Sequence, residues 1–145
     1  MIVERGISMS TVQDLNPLNI TTYEPGFCNI GPAEIARRRL VGWIGLVVGV
    51  AILGLLLVVG APALFRLVLI LPAGMSAEGF LQAHFHFCAG FAARGVYNFG
   101  DVGSVERIVA AADRARDRRR AMAINLASLG VGIVVAIVAF LLPVR

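Results

Sequence analysis

The sequence predicts an all-α integral membrane protein with three transmembrane helices, the third preceded by a charged cytoplasmic helical extension. Three observations point there. Of 145 residues, 58% are hydrophobic and 15% charged, against roughly 45–50% apolar and about 25% charged in a soluble domain. Leu40 to Phe65 is a run of 26 uncharged residues and 121–144 a run of 24, each longer than the ~20 that cross a hydrocarbon core. The basic residues gather beside these runs, as Arg37-Arg38-Arg39 and again from Arg107 to Arg120. A water-soluble enzyme of ordinary type is excluded.

Residues 1–31 form the expected cytoplasmic N-terminal arm, and 32–145 the helical membrane domain. The arm carries Asn16-Pro17 and Glu24-Pro25-Gly26 with no sustained period, so a loop is expected there. Its first 30 residues hold no continuous apolar stretch of the signal-peptide kind. Pro32 suits the first position of a helix, and Glu34 two residues on favours a helix start. Spans are expected at about 40–60, 65–93 and 121–142. Val59-Gly60-Ala61-Pro62 is the expected tight turn after the first. The second is polar, interrupted by Glu78, and a bend is expected near Pro72 and Gly74, where a backbone hydrogen bond is lost. A single helix over 63–93 would be about 46 Å long and would need a kink, a tilt or an end outside the lipid. Gly103-Ser104 offers an N-cap for a helix from Val105 to Leu142, whose charged first third has Asp113, Arg114, Arg116 and Asp117 at pairing distances.

Arginine placement sets orientation. Arg37, Arg38 and Arg39 precede the first span, and Arg118, Arg119 and Arg120 end the block before the last; basic flanks stay cytoplasmic. Three spans satisfy both blocks, with the N-terminus inside and Arg145 outside a cell (inner) membrane. Two spans would put the blocks on opposite faces. All 13 basic residues are arginine, so Schiff-base chemistry on lysine has no side chain to use. The run Asp113 to Arg120 has no interleaved aromatics and abuts a span, so it faces anionic lipid, and nucleic acid is not an expected partner. Gly45-x3-Gly49 in the first span, and Gly130 with Gly132 in the third, permit close helix approach, within the chain or to other membrane helices of a homo- or hetero-oligomer.

Candidate chemistry lies in the middle span. At about 100° per residue, Glu78, Gln82 and His86 make one stripe, and His84 and Cys88 a four-step pair on another face. A carboxylate in hydrocarbon marks an interior face, an ion path or a proton relay; the alternative places Glu78 at an interface, paired with Arg66 or capping a broken helix. Cys28 and Cys88 fall toward the same membrane face, so Cys28, His84 and Cys88 are a candidate thiol or soft-metal set, with His86 as a further nitrogen donor. No C-x2-C or H-x3-H motif accompanies them, and two unrelated thiols in a reducing cytoplasm is the alternative. No cofactor is indicated.

Asn29-Ile30-Gly31-x2-Glu34-x2-Arg37-Arg38, then Gly42-x2-Gly45 opening an apolar hairpin, then Gly79-Phe80 and Phe87-Cys88 before Gly95 resembles a small two-helix membrane family of unknown function. That family also forms the transmembrane tail of membrane-bound rhodaneses. The resemblance covers about Asn29 to Gly95; Leu81 to Phe87 intervene where the family keeps its Gly-Phe and Cys close, and the third span is an addition. It implies an inner-membrane hairpin, often dimeric, linked to thiol or sulfur handling without catalysis, and it carries over Cys88 alone. Two functions are therefore expected as alternatives. One is a non-catalytic packing or accessory component of a membrane assembly; the other is a small transport or thiol/metal-sensing module that uses the polar second span.

Overall fold

The computed structural model describes residues 22–143. It is mostly helical, with α1 Pro32–Val58, a 3₁₀ segment Ala63–Leu69, α2 Ile70–His84, α3 Ala89–Arg94, and α4 Ala111–Leu141. Two strands of two residues, β1 Val96–Tyr97 and β2 Glu106–Arg107, pair antiparallel between α3 and α4. Three helical stretches, Pro32–Val58, Ala63–His84 and Ala111–Leu141, are long and apolar enough to cross a membrane.

Pro32 is at the start of α1, where its missing N–H has no helical partner to lose. The helix ends in a Schellman closure: Ala61 N donates to Leu56 O at 2.9 Å and Gly60 N to Leu57 O at 3.2 Å. Gly60 takes φ +64°, a left-handed conformation open to glycine at little cost. The expected turn at 59–62 is therefore present.

The second span differs from its expectation at its bend and at its C-terminal end. Pro72 falls in the first turn of α2, directly after the 3₁₀ segment, so the irregularity a proline imposes coincides with the change from 3₁₀ to α geometry and not with a break in the helix. The interruption comes instead after His84, and the helix expected as far as residue 93 stops there. Phe87 N donates to Gln82 O at 2.9 Å, and His86 sits at φ +51°, closing α2 as Gly60 closes α1. Apolar residues continue through this break because Phe87, Ala89 and Ala92 pack with Ala121 and Ile124 of α4, so hydropathy alone did not reveal it.

α4 starts six residues later than expected. Ser104 does not cap it; its Oγ donates to Asp101 O at 2.7 Å, closing a turn between the strands, and Val105 leads into β2. The N-cap residue is Ala110, with no side-chain cap.

α2 is the middle layer, with α1 packed on one side and α4 on the other. Both contacts are antiparallel. Gly79 of α2 lies against Gly42 of α1: a Cβ there would be 2.7 Å from Gly42 Cα and 2.8 Å from Arg38 O. Gly45 abuts Ser76 N and Pro72 O, and Gly132 of α4 abuts Ile70 O. Of the glycines expected to permit close approach, Gly45 and Gly132 do so within the chain, a Cβ on Gly49 would make only an ordinary contact with Pro72 at 3.6 Å, and one on Gly130 would meet nothing within 4 Å; Gly42, against Phe80, is a further close approach. Because α1 and α4 run parallel, Arg37 to Arg39 and Arg114 to Arg120 lie at the same end of the bundle. Arg66 lies at the other end, donating from one terminal nitrogen to Ala139 O at 3.1 Å and Leu142 O at 2.9 Å and so capping the C-terminus of α4. The expected position of Arg145 lies outside the described residues, as do residues 1–21 of the arm.

Candidate functional site

The arginine-bearing end is closed by four polar side chains from separate segments. Asn29 clasps the backbone of Cys88: its Nδ2 donates to Cys88 O at 3.1 Å and its Oδ1 accepts from Cys88 N at 2.6 Å. Asn98 O accepts from Gly31 N at 2.7 Å, and Asn98 N donates to Asn29 O at 3.0 Å. The Asn98 side chain donates to Asp101 O at 2.9 Å and accepts from Gly100 N, and its Nδ2 lies 3.5 Å from Glu34 Oε1. Asp117 accepts from Gly26 N at 2.7 Å and from the Tyr23 hydroxyl at 3.3 Å. Asn29, Glu34, Asn98 and Asp117 are all buried, and buried polar groups are stable only with partners. Residues 22–31, the end of the expected arm, are thus bonded to the helical body.

The chemistry expected along the middle span divides. Glu78 and Gln82 do meet, Gln82 Nε2 donating to Glu78 Oε1 at 2.7 Å. His86 does not extend that stripe. It follows the end of α2, and its carbonyl accepts from Asn29 N and Ile30 N at 3.1 and 3.3 Å. Nor do His84 and Cys88 share a helix face, because the chain between them leaves the helix; His84 is exposed and Cys88 buried. Arg66 is at the far end, so it does not pair with Glu78.

Both cysteines are free and buried. Cys28 Sγ donates to Ile30 O at 3.8 Å. Burial pushes its thiol up from the ordinary 9.0 to about 11. Cys88 caps α3, its Sγ accepting from Phe91 N at 3.4 Å. Among the described residues, no three His, Cys, Asp or Glu side chains gather as a metal-donor set. Burial first, and then the adjacent Asp117 carboxylate, hold the Tyr23 phenol above its usual range.

Of the arginines expected to set orientation, Arg37, Arg39, Arg118 and Arg119 are exposed. Arg38 pairs with Glu34 at 3.6 Å, and the Arg120 guanidinium lies 4.4 Å from the Phe85 ring centroid. Just inside this belt, Arg38, Val41, Met75, Glu78, Gly79 and Gln82 line a notch of about 200 Å³ between α1 and α2. Glu78 and Met75 also border a second cleft, of about 270 Å³, with Asn125 and Ser128 of α4.

The polar closure was not foreseen as a unit. Glu34 was expected only as a helix-start charge and Asp117 only as a surface partner for arginine. The available signals were the turn-forming Asn98-Phe99-Gly100-Asp101 and the position of Asn29 before Gly31-Pro32. Comparison with family models, with curated proteins and with solved structures finds no match for this chain.

Proposed function

We propose that this chain is a three-pass protein of the cell (inner) membrane, N-terminus cytoplasmic, acting without catalysis as a packing or accessory component of a membrane assembly. The observation that carries this reading is how its surface divides. The most deeply buried polar side chains at the arginine-bearing end are occupied in closing the fold, whereas α1 and α4 leave long apolar faces uncovered, including Val47, Val50, Leu55, Leu126, Val134 and Val138. Such faces are stable against acyl chains or other membrane helices. Both arginine blocks at one end accord with a cytoplasmic face. Extraction in mild detergent followed by affinity purification tests the accessory role. Stoichiometric partner chains are the expected result, and a chain recovered alone from native membranes opposes it.

A second reading, a small transport or thiol-sensing module, draws support from Glu78 standing where two clefts meet, since an ionisable group at membrane depth marks ion paths. Ion-dependent flux into proteoliposomes, abolished by Glu78→Gln, would favour it over the accessory role.

A further inference from the structure

The notch between α1 and α2 contains polar groups that the fold leaves unused. Gln82 is 4% exposed, yet its Oε1 has no hydrogen-bond partner, and neither does Arg38 Nε. Glu78 Oε1 accepts from Gln82 Nε2, and no donor of the described residues is bonded to its other oxygen. A buried carboxamide oxygen without a donor is costly, and the cavity, at about 200 Å³, exceeds the roughly 30 Å³ share of a single bridging water.

The lining specifies the occupant. Arg38 is paired with Glu34 at 3.6 Å, but its unpartnered Nε still calls for an acceptor, while Glu78 and Gln82 Oε1 call for a donor bearing several N–H groups. A phosphate alone would be repelled by Glu78, and a simple cation would leave the Arg38 Nε–H without an acceptor. A zwitterion with phosphate and primary ammonium a few ångströms apart satisfies both. Val41, Met75 and Gly79 supply an apolar wall, and the notch lies one turn inside the arginine belt, at headgroup depth in the three-pass arrangement. We propose that this notch binds the headgroup of an aminophospholipid, with its phosphate on Arg38 and its ammonium on Glu78 and Gln82. The site rests on the membrane reading above and adds a ligand to it.

The test uses the full chain in nanodiscs containing equal amounts of phosphatidylethanolamine, phosphatidylcholine and phosphatidylglycerol, followed by native mass spectrometry of the lipid that stays bound. Choline has no N–H to donate, so retention of the ethanolamine lipid about tenfold above the choline lipid is expected, the scale of one charge-assisted hydrogen bond. Glu78→Gln and Gln82→Ala are expected to remove most of that preference while leaving helical content unchanged. The choline comparison needs no variant, so it stands even where a substitution impairs folding. Equal retention of the two lipids overturns the site, as does preference for phosphatidylglycerol, which would reflect the arginine belt alone. Retention of free phosphoethanolamine together with no preference among the three lipids would point to a soluble ligand and overturn the lipid assignment. A chain that stays outside the nanodiscs overturns the membrane reading and this site with it.

Discussion

At the arginine-bearing end, Asn29, Asn98 and Asp117 tie four chain segments together by directional hydrogen bonds. Along the spans, α1, α2 and α4 meet through glycines that let backbones touch, with few polar contacts between them. In the proposed three-pass arrangement the difference follows from the solvent around each region. In hydrocarbon there is little hydrophobic drive between apolar helices, and close packing by small residues takes its place. At the wet end, loops must satisfy their own backbone groups, and buried amides do so by bridging segments.

Filling a span contact should break the molecule more severely than removing a tie. Gly79→Val puts side-chain atoms where the Gly42 and Arg38 backbones already stand, and overpacking of this kind costs about 3 kcal/mol. A fall in thermal stability in detergent, with separation of α1 from α2 by cysteine crosslinking, would show it. Asn29→Ala should follow at about 2 kcal/mol, because it leaves Cys88 N–H buried without an acceptor, whereas Cys88 O keeps a bond from Ala92 N. Denaturant melts of the two variants rank the regions directly; a larger loss in Asn29→Ala would reverse the comparison.

Cys28 sharpens the contrast through pH. Its thiol ionises at about 11 in the folded chain and at the ordinary 9.0 otherwise. The folded state therefore holds its proton longer, and the stability this confers is present below pH 9 and lost as pH rises through 11. Melting curves from pH 8 to 11 should show a decline that Cys28→Ser removes between pH 9 and 10 and reduces above it, where the raised Tyr23 phenol adds a loss of the same sign. The smallest effect belongs to Gly130→Ala on the open face of α4. Nothing lies within 4 Å of the added methyl, so only the helix-propensity gain of up to about 1 kcal/mol remains, and Tm should hold or rise slightly.

The first and last long apolar helices were legible because the absence of charge over 26 and 24 residues needs no tertiary information to interpret. Pro32 and the Gly60 turn were legible for the same reason, since each acts through its own backbone. The end of α2 was not, because Phe85 to Phe91 is as apolar as the helix before it and His86 gives no local sign of a left-handed conformation. The clasp of Asn29 on Cys88 spans 59 positions and the bond from Gly26 to Asp117 spans 91, distances at which local pattern says nothing. Of the candidate residues, Glu78 and Gln82 share a helix turn and were paired correctly. Those grouped across the break, His84, His86 and Cys88, were not.

The proposed three-pass chain carries both arginine blocks on the cytoplasmic face, and single-cysteine accessibility is the measurement that decides it. Val59, at the turn after α1, and Val102, in the loop between the strands, are both exposed. Each is replaced by cysteine in a chain whose own two thiols are serine, and intact cells are treated with a membrane-impermeant maleimide. The expected result is labelling at position 59 in intact cells and at position 102 only after permeabilisation. Labelling at 102 in intact cells, or equal labelling at both positions, would contradict the three-pass arrangement.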